Sequence, residues 1–176
     1  FTSLGTDMAG SVRGPTAYCG IVGLKPTFGR VSSRGLLATN FNGDHIGPLT
    51  RSVADYALVL QAIAGYDPLD PSTVPVPVPD FSATLGRGLK GLKVGVPTNY
   101  FFDAIDEEVE AAVRRAIVAL QELGVQAVEV RLDTLEYGDI MRILSMPENF
   151  MVHEEWLTHH RADYSPDLVD RYLAGQ

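Results

Sequence analysis

Leu92-Lys93-Val94-Gly95-Val96-Pro97, then Asp106 to Gly124, then Val125-Gln126-Ala127-Val128-Glu129-Val130: this succession decides the fold class. The first run is short, β-branched and closed by proline, which reads as a strand. Asp106 opens a helix whose first turn carries Glu107 and Glu108, where carboxylates suit the positive end of the helix dipole. Val109, Ala112, Val113, Ala116, Ile117, Leu120 and Leu123 recur at helical spacing as one apolar stripe, and Gly124 ends it. Strand, helix and strand in that order predict a parallel pair joined by a right-handed crossover. The class is α/β.

Upstream, residues 66–91 form a strap. Prolines at 68, 71, 75, 77 and 79, with the alternation Pro75-Val76-Pro77-Val78-Pro79, favour an extended, polyproline-like path. Before the strap, Ser52 caps a helix that runs to Gly65, with Asp55 three residues into it. Val53, Ala57, Leu60 and Ala64 mark one face and Val59 and Ile63 the other, which predicts burial nearly all round. Residues 134–176 read as helical, interrupted near Pro147 and again near Ser165-Pro166, with Ser165 or Asp167 as a cap. The chain thus divides into 1–65 (a small-residue loop and a core helix), 66–91 (the strap), 92–132 (the βαβ unit) and 133–176 (the helical tail). His153, Glu154, Glu155, His159 and His160 in the tail lack the His-Glu-x-x-His spacing of a zinc helix. They read as a solvated face, with Trp156 and Leu157 packed inward.

The 176 residues are 45% hydrophobic and 20% charged, ordinary for a globular chain with a real core. Lysine and arginine number 14 against 22 acids, so a net charge of -8 argues against direct binding to nucleic acid or to an anionic membrane. No apolar run is long enough to span a bilayer. Cys19 is the lone cysteine, which rules out an internal disulfide or a cysteine metal cluster and fits a reducing, cytoplasmic setting; it reads as a small buried residue. The start at Phe1, without methionine, reads as the start of a fragment.

Chemistry concentrates in Leu4-Gly5-Thr6-Asp7-Met8-Ala9-Gly10-Ser11-Val12-Arg13-Gly14-Pro15, one hydroxyl between an acid and a base. Pro15 to Cys19, stopped by Gly20, reads as a short helix, so Ser11 sits where a loop feeds a helix N-terminus. Outward-pointing amides there attract a phosphate or a tetrahedral oxyanion. Spacing removes two devices. A phosphate-binding P-loop has lysine after its second glycine, where this chain has Ser11. The nucleophile elbow needs Gly-x-Ser-x-Gly, and Gly10-Ser11-Val12-Arg13-Gly14 offsets both glycines. A Ser-His-Asp triad drafting Asp44 and His45 asks two adjacent residues to point to one place.

The pattern Asp7-x-x-x-Ser11-x-Arg13-x-Pro15 resembles the amidase signature family. The resemblance continues through Cys19-Gly20-Ile21-Val22-Gly23-Leu24-Lys25-Pro26-Thr27, Gly29-Arg30-Val31, Gly47-Pro48-Leu49-Thr50-Arg51-Ser52-Val53 and Ala62-Ile63-Ala64-Gly65. It is strong over residues 4–73, weaker over 91–132 and slight beyond. It implies a mixed β-sheet covered by helices and a Ser-cis-Ser-Lys triad, with Ser11 as nucleophile. It also implies an oxyanion hole from the backbone N–H groups of Met8, Ala9, Gly10 and Ser11, with Asp7 and Arg13 holding the loop. The family usually carries glycine where this chain has Ala9, and a smaller or β-branched residue where it has Met8. Its cis-serine and catalytic lysine lie N-terminal to the nucleophile, so they are expected upstream of Phe1, and these residues alone are expected to be inactive. Lys25, Lys90 and Lys93 do not match the family lysine. The implied activity is hydrolysis of a small-molecule carboxamide with no metal or organic cofactor. The glutamine-hydrolysing component of a tRNA-dependent amidotransferase, and a non-catalytic anion-binding or scaffold module, remain alternatives, and a homodimer or partner subunits remain open. The resemblance implies an acyl pocket drawn from segments before Phe1 and after Gln176, with only parts of its wall, around Phe41 or Tyr137 to Met146, expected here; both stretches read equally as core or surface packing.

Overall fold

The computed structural model describes residues 1–37, 39–133 and 138–176. They form two compact units, Phe1–Leu85 with Met141–Gln176, and Gly86–Ile140.

In the first unit, β1 (Ser3–Asp7), β2 (Val22–Gly23) and β3 (His45–Thr50) make an antiparallel sheet in the order β1-β3-β2. The loop read from residue 4 therefore begins as a strand, and Asp7 is its last residue. Nor does the sequence advertise β3, which carries Gly47 and Pro48, both unfavourable in strand interiors. The register explains both. Gly5 pairs with Gly47 and Leu4 with Pro48, while β2 reaches only Leu49 and Thr50, so at Pro48 the ladder to β2 has already ended. A Cβ at Gly5 would meet the Val12 and Leu49 side chains at 3.2 and 3.1 Å, and one at Gly47 would meet the Leu24 carbonyl oxygen at 2.6 Å and Val12 at 3.6 Å. The paired glycines thus make a floor on which Val12, completely buried, is seated.

Helix α1 (Arg13–Cys19) starts earlier than its proline suggests and stops at Gly20, whose φ of 63° is left-handed. Cys19 is exposed, contrary to the buried reading. Helix α2 (Val53–Ile63) is capped as expected, the Ser52 hydroxyl accepting from Asp55 N. Its burial is one-sided: Tyr56, Ala57 and Leu60 are buried, whereas Val53 and Leu58 are exposed. The proline-rich stretch is tied to the loop after β2, with Arg30 Nη1 donating to the Pro77 carbonyl and Asp70 accepting from Ser33 N and the hydroxyls of Ser32, Ser33 and Ser72.

In the second unit, β4 (Lys93–Pro97) and β5 (Gln126–Val130) pair in parallel, with α3 (Glu107–Glu122) between them in the chain. The Asp106 side chain accepts from Glu108 N, as its cap role requires. The Asn99 amide donates to Leu132 O and accepts from Leu132 N, closing the end of the sheet. No residue of α3 is fully buried, and Val109 and Val113 remain exposed.

The tail returns to the first unit. Helix α4 (Gly138–His159) runs unbroken through Pro147, which overturns the predicted interruption. Helix α5 (Pro166–Leu173) follows with Ser165 at its N-cap position and no bond from that side chain. Leu157, Val169 and Tyr172 form a core with Phe150, Tyr164, Leu168 and Leu173. Leu157 is inside as expected, but Trp156 is exposed beside His160, and His153 is buried rather than solvated. Tyr137 lies outside the described residues. Among the described residues, no helix is long and apolar enough to cross a membrane.

Candidate active site

The loop after β1 is organised by one carboxylate. Asp7 is fully buried. Its Oδ1 accepts from Gly10 N at 2.7 Å and Arg13 Nη2 at 3.1 Å; its Oδ2 accepts from Arg13 Nε at 3.0 Å, Arg13 N at 3.2 Å and Val12 N at 3.3 Å. Burial pushes this carboxyl up, but the Arg13 guanidinium and the amides of Arg13, Gly10 and Val12 more than reverse it, leaving Asp7 well below the ordinary carboxylate range. The same pairing raises Arg13 above the usual guanidinium value. Gly10 turns the chain with φ of +135°, and its carbonyl accepts from Gly14 N at 2.6 Å. Ser11 is held between two anchors: Gly10 on Asp7, and Val12 on both Asp7 and the glycine floor.

Ser11 itself is exposed, and its hydroxyl has no partner among the described residues. Of the four amides expected to serve an oxyanion, Gly10 N–H is engaged by Asp7. Those of Met8, Ala9 and Ser11 have no partner among the described residues. The Met8 carbonyl accepts from Lys25 Nζ at 2.6 Å, so the oxygen of that peptide is engaged while its N–H, that of Ala9, has no partner among the described residues. Lys25 thereby acquires a loop-fixing role.

Ser11 lines a cleft of about 280 Å³ with Thr6, Met8, Ala9, Thr39 and Asp44, closed from the tail by Asn149 of α4 and Leu168, Arg171 and Tyr172 of α5. The 39–44 wall is built locally: Asp44 Oδ2 accepts from Thr39 N, Thr39 Oγ1 and Asn40 N. It is pinned to α4 by Asn42, whose backbone and side-chain amides both donate to Glu148 Oε1. His45 Nδ1 contacts the Gly43 carbonyl at 2.7 Å, so Asp44 and His45 each serve the loop and do not orient one another. A separate groove of about 720 Å³ includes Phe41, Leu144, Pro147 and Met151 in its lining, and none of these four lines the Ser11 cleft. Asn149, Leu168, Arg171 and Tyr172 escaped the sequence reading, because no motif in the tail marks them; only the fold brings them to Ser11.

The Amidase family profile matches residues 1–172. The chain belongs to the amidase family. Among curated relatives, the A component of the glutamyl-tRNA(Gln) amidotransferase of Desulfotalea psychrophila is 50% identical over 176 residues, covering 98% of this chain and 36% of that protein. An amidase of Pseudomonas putida is 45% identical over 170 residues, covering 96% of this chain and 36% of that protein. The solved A component of the glutamyl-tRNA(Gln) amidotransferase of Thermotoga maritima superposes with a TM-score of 0.81 at 32% identity, over 99% of this chain and 37% of that one. The chain therefore spans about a third of the length of the relatives it matches, and its α/β fold is theirs.

Proposed function

We propose that this chain carries the nucleophile half of an amidase that hydrolyses a carboxamide C–N bond through a seryl acyl-enzyme on Ser11. One observation carries the reading: an unpartnered, solvent-open serine hydroxyl stands among unpartnered backbone N–H groups, on a loop fixed from beneath by a buried carboxylate. Ser11 Oγ attacks the carbonyl carbon, and the N–H groups of Met8, Ala9 and Ser11 stabilise the developing oxyanion. Gly10 N–H serves the loop by holding Asp7. Collapse expels ammonia or an amine, and water then releases the acyl group. Asp7 and Arg13 act only by positioning. A serine hydroxyl needs a base at neutral pH. Lys25 is committed to Met8, and the amidase signature pattern supplies the base as a serine–lysine pair from sequence N-terminal to the nucleophile, within the two thirds of the relatives' length that this chain does not span. Chemistry of this kind requires neither a metal nor an organic cofactor. The reducing setting suggested by a lone, exposed cysteine favours a cytoplasmic enzyme.

The test is a fluorophosphonate probe on the full-length protein. Ser11 is labelled and carboxamides are hydrolysed, and Ser11→Ala abolishes both while leaving the unfolding curve unchanged, since the side chain has no partner to lose. Survival of labelling or turnover in Ser11→Ala refutes the assignment, and a wild type that resists the probe favours a non-catalytic, anion-binding module.

A second reading, the glutamine-hydrolysing component of a tRNA-dependent amidotransferase working with partner subunits, is favoured by the 50% identical relative from such an enzyme. Transfer of ammonia from glutamine to a charged tRNA in the presence of purified partners distinguishes it from free amide hydrolysis.

A further inference from the structure

Asp44 is only 8% exposed, and the loop it anchors uses half of its carboxylate. Thr39 N, Thr39 Oγ1 and Asn40 N all donate to Oδ2, at 3.0, 3.3 and 3.1 Å. Oδ1 accepts from no described residue, yet it is not one of the buried side-chain atoms without a partner, which among the described residues are Asn149 Oδ1 and His153 Nε2. Oδ1 is therefore the oxygen of Asp44 that reaches accessible space, and the space that Asp44 lines is the Ser11 cleft.

Tyr172, which lines the same cleft from α5, repeats the pattern. It is buried, with its ring stacked on His153 at 4.3 Å and the planes 12° apart. Its hydroxyl has no partner among the described residues and is not one of the buried unpartnered atoms. Burial first, with Tyr164 and Asp44 behind it, pushes the Tyr172 phenol up against an opposing Arg171, so the hydroxyl stays neutral and lies within electrostatic reach of Asp44. Two open oxygens, one of them a desolvated anion, select a positively charged N–H donor. Arg171 also lines the cleft, but it is exposed on the last turn of α5, where water screens it, whereas burial leaves the field of Asp44 less attenuated.

We infer that Asp44 Oδ1 and the Tyr172 hydroxyl oxygen form a subsite for a primary ammonium on the acyl chain of the substrate, each accepting from one of its N–H groups. The inference rests on the amidase reading and adds a substrate class to it, carboxamides whose acyl chain carries an amine protonated at neutral pH. Asp44 and Tyr172 are specificity-determining residues, and Ser11 alone attacks the amide.

The test uses the full-length protein and amino amides from 3-aminopropanamide to 6-aminohexanamide, each against the straight-chain amide with a methyl in place of the ammonium. The readouts are their protection of Ser11 against fluorophosphonate labelling and their release of ammonia. At the chain length that fits, wild type is expected to prefer the ammonium about tenfold in protection constant and in KM, the least that a hydrogen bond to a desolvated charge contributes. The anionic 4-carbamoylbutanoate is expected to bind more weakly than pentanamide. In Asp44→Asn the amide oxygen must keep the Oδ2 place to face Thr39 N and Asn40 N, which sets an NH2 where Oδ1 stood; the ammonium preference disappears or inverts. Tyr172→Phe, which keeps the ring on His153, loses about threefold of the preference and carries the test if Asp44→Asn gives no cooperative unfolding transition. Equal affinity for ammonium and methyl at every length, a preference for the carboxylate, or an undiminished ammonium preference in Asp44→Asn or in Tyr172→Phe overturns the subsite while Ser11 labelling stands. A wild-type Ser11 that resists the probe overturns the amidase reading itself, and is seen before any variant is made.

Discussion

Replacing Asp7 by asparagine tests whether one carboxylate holds the Ser11 loop. The change keeps shape and removes charge. If the asparagine oxygen takes the Oδ2 position, Val12 N, Arg13 N and Arg13 Nε keep an acceptor, but the NH2 then faces Gly10 N at 2.7 Å and Arg13 Nη2 at 3.1 Å, donor against donor. The opposite orientation forfeits the other three. Because Asp7 is wholly buried, water cannot replace the lost acceptor, and one stranded backbone N–H costs about 1–3 kcal/mol. The surviving bonds weaken as the acceptor loses its charge, while the Arg13 end, whose side chain is half exposed, adds little. The sum is about 2–4 kcal/mol, carried by the stranded Gly10 N–H and the weakened acceptor and not by the half-exposed ion pair. The cost falls on Gly10 and Ser11, so at about 3 kcal/mol about 10²-fold of probe reactivity should be lost. The assay pairs urea unfolding of the full-length protein with its fluorophosphonate labelling rate. Asp7→Asn protein that unfolds and labels like wild type would refute the clamp.

The same geometry fixes three more outcomes. Gly10→Ala should cost about 1–3 kcal/mol and slow labelling, because φ of +135° strains any L side chain although a Cβ there meets nothing within 4 Å; unchanged labelling would show the loop re-forming without that turn. Val12→Ala should cost about 1.5–3 kcal/mol by unseating the anchor between Gly5 and Gly47, read as a lower urea midpoint with the same slope. The Asp7 carboxyl is depressed in the folded protein, so its contribution is complete above the ordinary unfolded value of about 3.9 and drains away only as pH falls below that toward the native value; acid titration of stability should therefore be flatter in Asp7→Asn than in wild type.

What could be read from the chain follows the range of the interactions involved. The βαβ unit was legible because each of its signals is local: the start at Asp106 with its acidic first turn, the stripe from Val109 to Leu123 and the glycine stop all act within one helix. For Asp7 and Arg13 it was the resemblance that implied a loop-holding role, and in the structure the partners of the Asp7 carboxylate lie within six residues of it. Strand β3 was not legible, because the feature that makes Gly47 acceptable, a neighbour too close for a Cβ, belongs to Leu24 and Val12. Pro147 misled in the other direction. Proline removes one N–H and crowds one carbonyl, a local penalty of about 3 kcal/mol, and the packing of Phe150 and Leu157 against α5 outweighs it. His153 and Trp156 were exchanged between inside and outside because helical spacing fixes which residues share a face but not which face meets α5.

The departures from the family pattern at Ala9 and Met8 have a physical resolution in the loop. Glycine is obligatory where the backbone is left-handed, and between Asp7 and Ser11 only Gly10 is. Ala9 adopts a φ open to any residue and is exposed, so its methyl costs the loop nothing while its N–H remains unpartnered. Met8 presents its carbonyl to Lys25, and its side chain packs where a Cβ on Gly43 would lie 2.6 Å from Met8 Cγ. That contact couples the Ser11 loop to the 39–44 wall, which Asn42 in turn fastens to Glu148 of α4. The larger residue at position 8 is therefore matched by an absent side chain at position 43. A β-branched residue at 8 should leave a gap beneath Gly43, loosening the wall without touching the amides at Ser11. Met8→Val ought then to change the relative KM of different amides while leaving the labelling rate of Ser11 near wild type, and a loss of labelling instead would mean that the wall, and not Asp7, sets the loop.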